Sequence, residues 1–119
     1  MYIASFGHDA HKDLTFTLSD IYIDVREELP LCDRKRFGVI RRVQKQYMKQ
    51  KGVKAFYKTH IWKKIKKVLS KRKHTRWRVF IGDHVGTTEA VVFAERLEQD
   101  LIKQCKVYAS VEHLTINLL

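Results

Sequence analysis

Four short stretches of this chain combine histidine, aspartate and arginine in ways suited to holding a small anion. They are Gly7-His8-Asp9-Ala10-His11, Asp24-Val25-Arg26, Gly82-Asp83-His84 and Glu112-His113. Arg26 can grip a phosphate or carboxylate through two parallel N–H donors. His8, His11, His84 and His113 can donate to the same group, with Asp24 and Asp83 beside them. Gly82 to Gly86, followed by Thr87 and Thr88, completes the set. A glycine loop that opens a helix presents bare N–H groups and a positive dipole end. This constellation predicts a pocket for phosphate, a sugar phosphate or another small anion, or a phosphate-handling activity. A metal is the second chemistry, through His8-x-x-His11 with Asp13, Asp83 or His84, though H-x-x-H on a loop has no fixed geometry. Ser5, Ser19, Ser70 and Ser110 lie in no nucleophile turn. A G-x-x-x-x-G-K-[ST] loop is absent, so nucleotide binding by a P-loop is not indicated. Catalysis is therefore not the primary expectation, and no cofactor is expected beyond a phosphate or sugar-phosphate ligand.

A different chemistry comes from charge. The 119 residues carry a net charge of +11, and 19 of the 24 Lys and Arg fall between Arg34 and Arg78 with no Asp or Glu among them. The other five share the remainder of the chain with all 13 acidic residues. Solubility requires no such segregation, whereas a polyanionic partner explains it. Contacts to RNA are expected from Lys63, Lys64, Lys67, Lys71, Arg72, Lys73 and Arg76, with Arg41, Arg42 and Lys45 behind them. Phe37, Tyr47, Phe56, Tyr57, Trp62 and Trp77 are interleaved with this run. Most fall on apolar helix faces, which assigns them to the core. Trp62 lies one residue off such a face, where it can stack a base or cover the helix. With no base-reading motif, recognition of RNA shape through phosphate contacts is expected.

The elements that must position these residues follow from periodicity. Tyr2 to Phe6 reads as a first strand, Leu14 to Leu18 alternates as a half-buried strand, and Ile21 to Val25 resumes an apolar one. Leu29-Pro30-Leu31 ends that element. Asp33 can cap a helix running to about Gln50, with Phe37, Ile40, Val43 and Tyr47 on one face and Gly52 as its stop. A second helix is expected from about Val53 to Ser70, with Val53, Tyr57, Ile61, Ile65, Val68 and Leu69 inward. Val79-Phe80-Ile81 suits a buried strand, and Thr87 or Thr88 can cap a helix with Ala90, Phe93, Ala94, Leu97 and Leu101 inward. Lys106 to Val111 and His113 to Leu118 complete the set as strands. Strands separated by helices predict an α/β fold, a mixed and mostly parallel sheet flanked by helices, with the basic helical pair inserted before the central strand, glycine loop and helix.

One domain, 1–119, accommodates these elements. No signal peptide or membrane span is discernible, which with Cys32 and Cys105 outside any C-x-x-C pattern predicts reduced thiols in a cytoplasmic protein.

Taken together, the pieces resemble the C-terminal domain of the RNase adapter protein RapZ. The likeness rests on Ser5-Phe6-Gly7, on Ser19-Asp20-Ile21-Tyr22-Ile23-Asp24-Val25-Arg26 with Leu29-Pro30, and on Ile81-Gly82. Gly86, Val91, Ala94-Glu95-Arg96-Leu97 and Val111-Glu112-His113 continue it in the same order. The resemblance implies an α/β fold, a cytoplasmic bacterial or phage setting, RNA binding through a basic surface, a hexosamine phosphate at the glycine loop, and self-association. The family's N-terminal P-loop domain has no counterpart in this sequence. Asp83 and Thr88-Glu89-Ala90 stand where the family has a cysteine and a His-Arg-Ser triplet, and the final His-Arg-Asp survives only as His113. Glu89 places negative charge in the first helical turn, against a bound phosphate. The expected function is thus an RNA-binding adaptor or regulatory module. The alternatives are the strand-end small-anion pocket and a basic face that docks an acidic host protein.

Overall fold

The computed structural model describes residues 1–26, 29, 37–71 and 77–119. Strands β1 (Tyr2–Gly7), β2 (Asp20–Asp24), β3 (Arg78–Asp83) and β4 (Ser110–His113) form one sheet in the order β2-β3-β1-β4. Every pairing is parallel, so the expected mixed sheet is corrected to an all-parallel one. All four carboxyl ends consequently lie along a single edge. Helix α1 covers Arg41–Met48, α2 runs without a break through 53–69, and α3 covers Glu89–Cys105. Among the described residues, no helix is long and apolar enough to cross a membrane.

Alternation along each strand divides the core. Ile3, Ile21, Ile23, Val79 and Ile81 face the helices, where they meet Tyr47, Tyr57, Ile61, Ile65, Phe93 and Leu97. Ala4, Phe6 and Phe80 point to the other face with Tyr2 and Tyr22, and there the cover is a loop. The β1-to-β2 connection crosses the sheet in one direction and the β2-to-β3 and β3-to-β4 connections cross in the other. Their lying on opposite faces is what a constant crossover hand requires.

The loop crossover corrects one expectation. Leu14 to Leu18 forms no strand: Leu14 and Phe16 reach down onto the aromatic cluster while Thr15, Thr17 and Leu18 are exposed. Phe16 stacks on Tyr22 with ring centroids 4.7 Å apart and tilts against Phe80 at 5.0 Å. Its alternation is that of a segment laid across a sheet, with no ladder. A second correction concerns the last strands. Lys106 adopts φ 55° and closes α3 through a Val107 N–H bond to the Leu101 carbonyl, so pairing begins only at Ser110. Pairing ends at His113, because the buried Thr115 hydroxyl accepts the Gly7 N–H at 2.8 Å and turns the chain into a short 3₁₀ segment, Ile116–Leu118.

The first helix is shorter than its periodicity suggested. Asp33 lies outside the described residues, and Phe37 to Ile40 precede the helix. Gly38 N–H is spent on the Thr87 carbonyl there, and Phe37 and Ile40 are exposed. Only Val43 and Tyr47 of the expected face are buried. Gly52, at φ 84°, separates α1 from α2. In α2 the buried residues Val53, Tyr57, Ile61 and Ile65 recur at every fourth position. At about 3.6 residues per turn such a stripe drifts around an α-helix. The π-helical turn Tyr57–Trp62 widens the repeat and keeps the stripe on the core. Val68 and Leu69 are half-buried at its end.

Phe93 of α3 joins the helices: its ring lies 5.8 Å from Tyr47, 5.8 Å from Phe56 and 6.2 Å from Tyr57. It is fully buried. Phe93→Ala is therefore expected to lower the unfolding free energy by about 3–5 kcal/mol. A urea titration followed by circular dichroism measures this, and a loss under about 1 kcal/mol would mean the three helices pack independently of that ring.

Candidate nucleic-acid interface and strand-end site

The parallel sheet brings the predicted small-anion residues to one edge. The hydrogen bonds there are already spent within the chain. Asp83, at the end of β3, is 2% exposed, and its carboxylate accepts the N–H groups of Gly86 and, at 2.9 Å, of Ala90. Thr88 occupies the position preceding α3 and makes no side-chain capping bond, so the expected threonine cap is replaced by Asp83. Thr87 is buried, with its carbonyl facing Gly38 N–H. Gly86 adopts φ 87° and lies against Gly7 so closely that a methyl group on either would run into the other's loop backbone. The N–H donors that would meet a phosphate thus face an internal carboxylate.

The neighbouring groups are engaged in the same way. His8 Nδ1 lies 2.7 Å from the Asp83 carbonyl, which can only accept, so this nitrogen carries the proton. Its Nε2 then accepts from the Tyr22 hydroxyl. Arg26 forms a two-pronged pair with Asp24 at 2.7 and 3.0 Å, and these bonds hold the Asp24 carboxyl below its ordinary range despite partial burial. His11 rests edge-on against Phe6, and its buried Nε2 has no partner among the described residues. His84 is exposed on the loop. No group of three His, Cys, Asp or Glu is gathered in a metal-holding arrangement among the described residues. Cys105 is half-buried and unbonded, while Cys32 lies outside the described residues.

His113 reveals a contact that sequence spacing hid. Register places it opposite Ser5, whose hydroxyl donates to Nδ1 at 2.6 Å, while Nε2 donates to Glu95 of α3 at 2.8 Å. A hydroxyl, an imidazole and a carboxylate in series are the parts of a hydrolytic relay. Ser5 is fully buried, so its hydroxyl meets no substrate. The three groups join β1, β4 and α3.

The basic residues present the opposite situation. All twelve Lys and Arg from Arg41 to Lys71 are exposed. None of them forms an ion pair among the described residues. Lys63, Lys64, Lys67 and Lys71 share one side of the α2 end, next to β2, where Lys64 Nζ reaches the Tyr22 carbonyl at 3.4 Å. Trp62 is half-buried against the core, with the Lys66 ammonium 6.0 Å above its ring. Arg41 and Arg42 open α1, with Lys45 one turn on. Arg72, Lys73 and Arg76 lie outside the described residues.

Arg41 and Lys45 belong to a second feature that the run of basic residues did not disclose. A cavity of about 620 Å³ lies between α1, the start of α2 and α3, and Arg96 and Lys103 of α3 line its far wall. The signal was present in the polar spacing Arg96, Gln99, Lys103 along α3, outside the basic run.

Neither a known protein-family model nor a curated protein sequence matches this chain.

Burial raises the Asp83 carboxyl, the Ala90 and Gly86 N–H bonds oppose it, and the nearby Glu89 charge adds to the rise, leaving it pushed up to about 7. An acid raised on folding contributes stability that is full below its unfolded value, near 3.8, and is lost as pH rises through about 7. Relative to Asp83→Asn, which keeps one acceptor oxygen, the wild-type urea midpoint is expected to fall between pH 4 and pH 8. Parallel midpoints across that range would mean the carboxyl is ionised throughout.

Proposed function

We propose that this chain is an RNA-binding module, similar to the C-terminal domain of RapZ, that holds the phosphate backbone on the basic surface of α1 and α2. The observation that carries this reading is the set of twelve exposed cations from Arg41 to Lys71 without a carboxylate partner among the described residues. Such a surface repels itself, and a polyanion relieves the repulsion while releasing its own counterions. Lys63, Lys64 and Lys67 share one side of the α2 end, with Lys71 following it, and Trp62 precedes them with its half-buried ring against the core. The preference for RNA over other polyanions comes from the resemblance. Recognition through shape follows from the lack of a base-reading motif. The strand-end pocket is the weaker alternative, since Asp83 already faces the loop's N–H donors and Asp24 already holds Arg26.

Affinity for structured RNA is expected to fall steeply with salt and to exceed affinity for duplex DNA and heparin under the same conditions. Reversing Lys63, Lys64 and Lys67 together to Glu is expected to weaken RNA binding by more than about tenfold and to lower the salt slope by about two. Fluorescence anisotropy across a salt series reads both quantities. Unchanged RNA binding in the triple variant would overturn this face as the interface.

A further inference from the structure

The cavity between α1, α2 and α3 has a composition that ordinary helix packing does not produce. Two facing helix stripes build it, Arg41, Gln44, Lys45 and Met48 on α1, with Lys49 just past its end, and Val92, Arg96, Gln99 and Lys103 on α3. Positions three and four apart on a helix share a face, and where two helices meet, that face is normally apolar. Here the floor alone is apolar, from Met48, Val92 and Ala55. The walls carry six cations, Arg41, Lys45, Lys49, Lys54, Arg96 and Lys103, together with glutamines, and among the described residues no carboxylate lines the space.

Five of those cations form no ion pair among the described residues. Arg96 is different because it is braced. Its Nε donates to Asp100 at 3.2 Å and its guanidinium lies 5.8 Å from the centre of the Tyr57 ring. Asp100 is itself held by the Tyr57 hydroxyl at 2.6 Å. This bracing fixes Arg96 at the wall of the cleft, and a pre-positioned planar guanidinium suits phosphate oxygens. A flat lysine strip tracks an extended backbone. A concave site with cations on both walls instead concentrates positive potential in one small volume.

We propose that this cleft binds a compact oligophosphate, either the phosphates of a free nucleotide or the phosphorylated end of an RNA. Its volume of about 620 Å³ is that of a small-molecule site. The apolar floor lies under whatever base or ribose the phosphates carry. The cleft is separate from the Lys63 strip, since none of its lining residues comes from that end of α2.

Isothermal titration with inorganic triphosphate tests the site directly on the whole chain. Saturable binding with one ligand per chain is expected. Lys45→Gln with Lys103→Gln, which neutralises one exposed cation on each wall, is expected to weaken it by about tenfold or more. Lys63→Gln with Lys67→Gln is expected to leave it unchanged. Weakening by the same factor in both double variants, or binding that never saturates, would overturn the cleft as a site. Two further arms identify the source of the phosphates. Tighter binding of a 5′-triphosphorylated RNA than of its 5′-hydroxyl counterpart assigns the RNA end, and ATP binding at least as tightly as inorganic triphosphate assigns a free nucleotide. Loss of RNA binding in the Lys63, Lys64 and Lys67 reversal, with triphosphate binding intact, separates this inference from the RNA reading.

Discussion

A carboxylate taken out of water at the end of a strand persists only where donors meet it. Asp83 receives the N–H groups of Gly86 and Ala90, which would otherwise stand open at the start of α3. Its own carbonyl receives the His8 backbone N–H at 2.8 Å and the His8 ring at 2.7 Å. One residue therefore fixes the ends of β1 and β3 to each other and to the helix that follows. The placement of α3 depends on this, and Phe93 on α3 then gives Tyr47, Phe56 and Tyr57 their common surface. The same contact explains why a strand–glycine loop–helix arrangement need not be a ligand site. The N–H groups at the positive end of the helix already have an acceptor, the Asp83 carboxyl, supplied from the preceding strand.

The extent to which these features could be read from sequence followed the range of the interactions involved. The inward residues of α3 and the three apolar strands β1, β2 and β3 were legible because each is decided by its own periodicity. Leu14 to Leu18 carried the right period for a strand, yet alternation reports only which side chains are buried. A loop lying across aromatic rings satisfies it as well as a ladder does. The stripe Val53, Tyr57, Ile61 and Ile65 identified the inward face of α2, but nothing local signalled the π-helical turn that keeps that face in register. Tertiary pairing was the least legible. Ser5 and His113 are 108 positions apart, and only the parallel register of β1 with β4 brings them together. Arg96 and Lys103 escaped notice for a related reason: they border a basic cleft in space while sitting among acidic neighbours in sequence.

The unbalanced charge of the helical pair has its explanation in what the acidic residues are doing. The sheet and α3 contain enough carboxylates to neutralise part of α1 and α2, but most of those carboxylates are committed nearby. Asp20 holds Arg78 through two bonds, Asp24 holds Arg26, and Asp83 caps α3. Asp100 is shared by Tyr57, Arg96 and Gln104, Glu95 takes His113, and Glu112 takes the Tyr2 hydroxyl. Each of these bonds lies within the sheet, α3 or the seam between α3 and α2, where it positions an element. A lysine on the outer face of α2 gains little from reaching one of them, because exposed ion pairs contribute only about 0–1 kcal/mol and cost side-chain freedom. Among the described residues the scaffold therefore uses much of its negative charge in holding itself together, and the helical pair keeps its positive charge without ion-pair partners at the surface. A multivalent anion can repay that imbalance through many contacts at once, which a scattered set of surface carboxylates cannot.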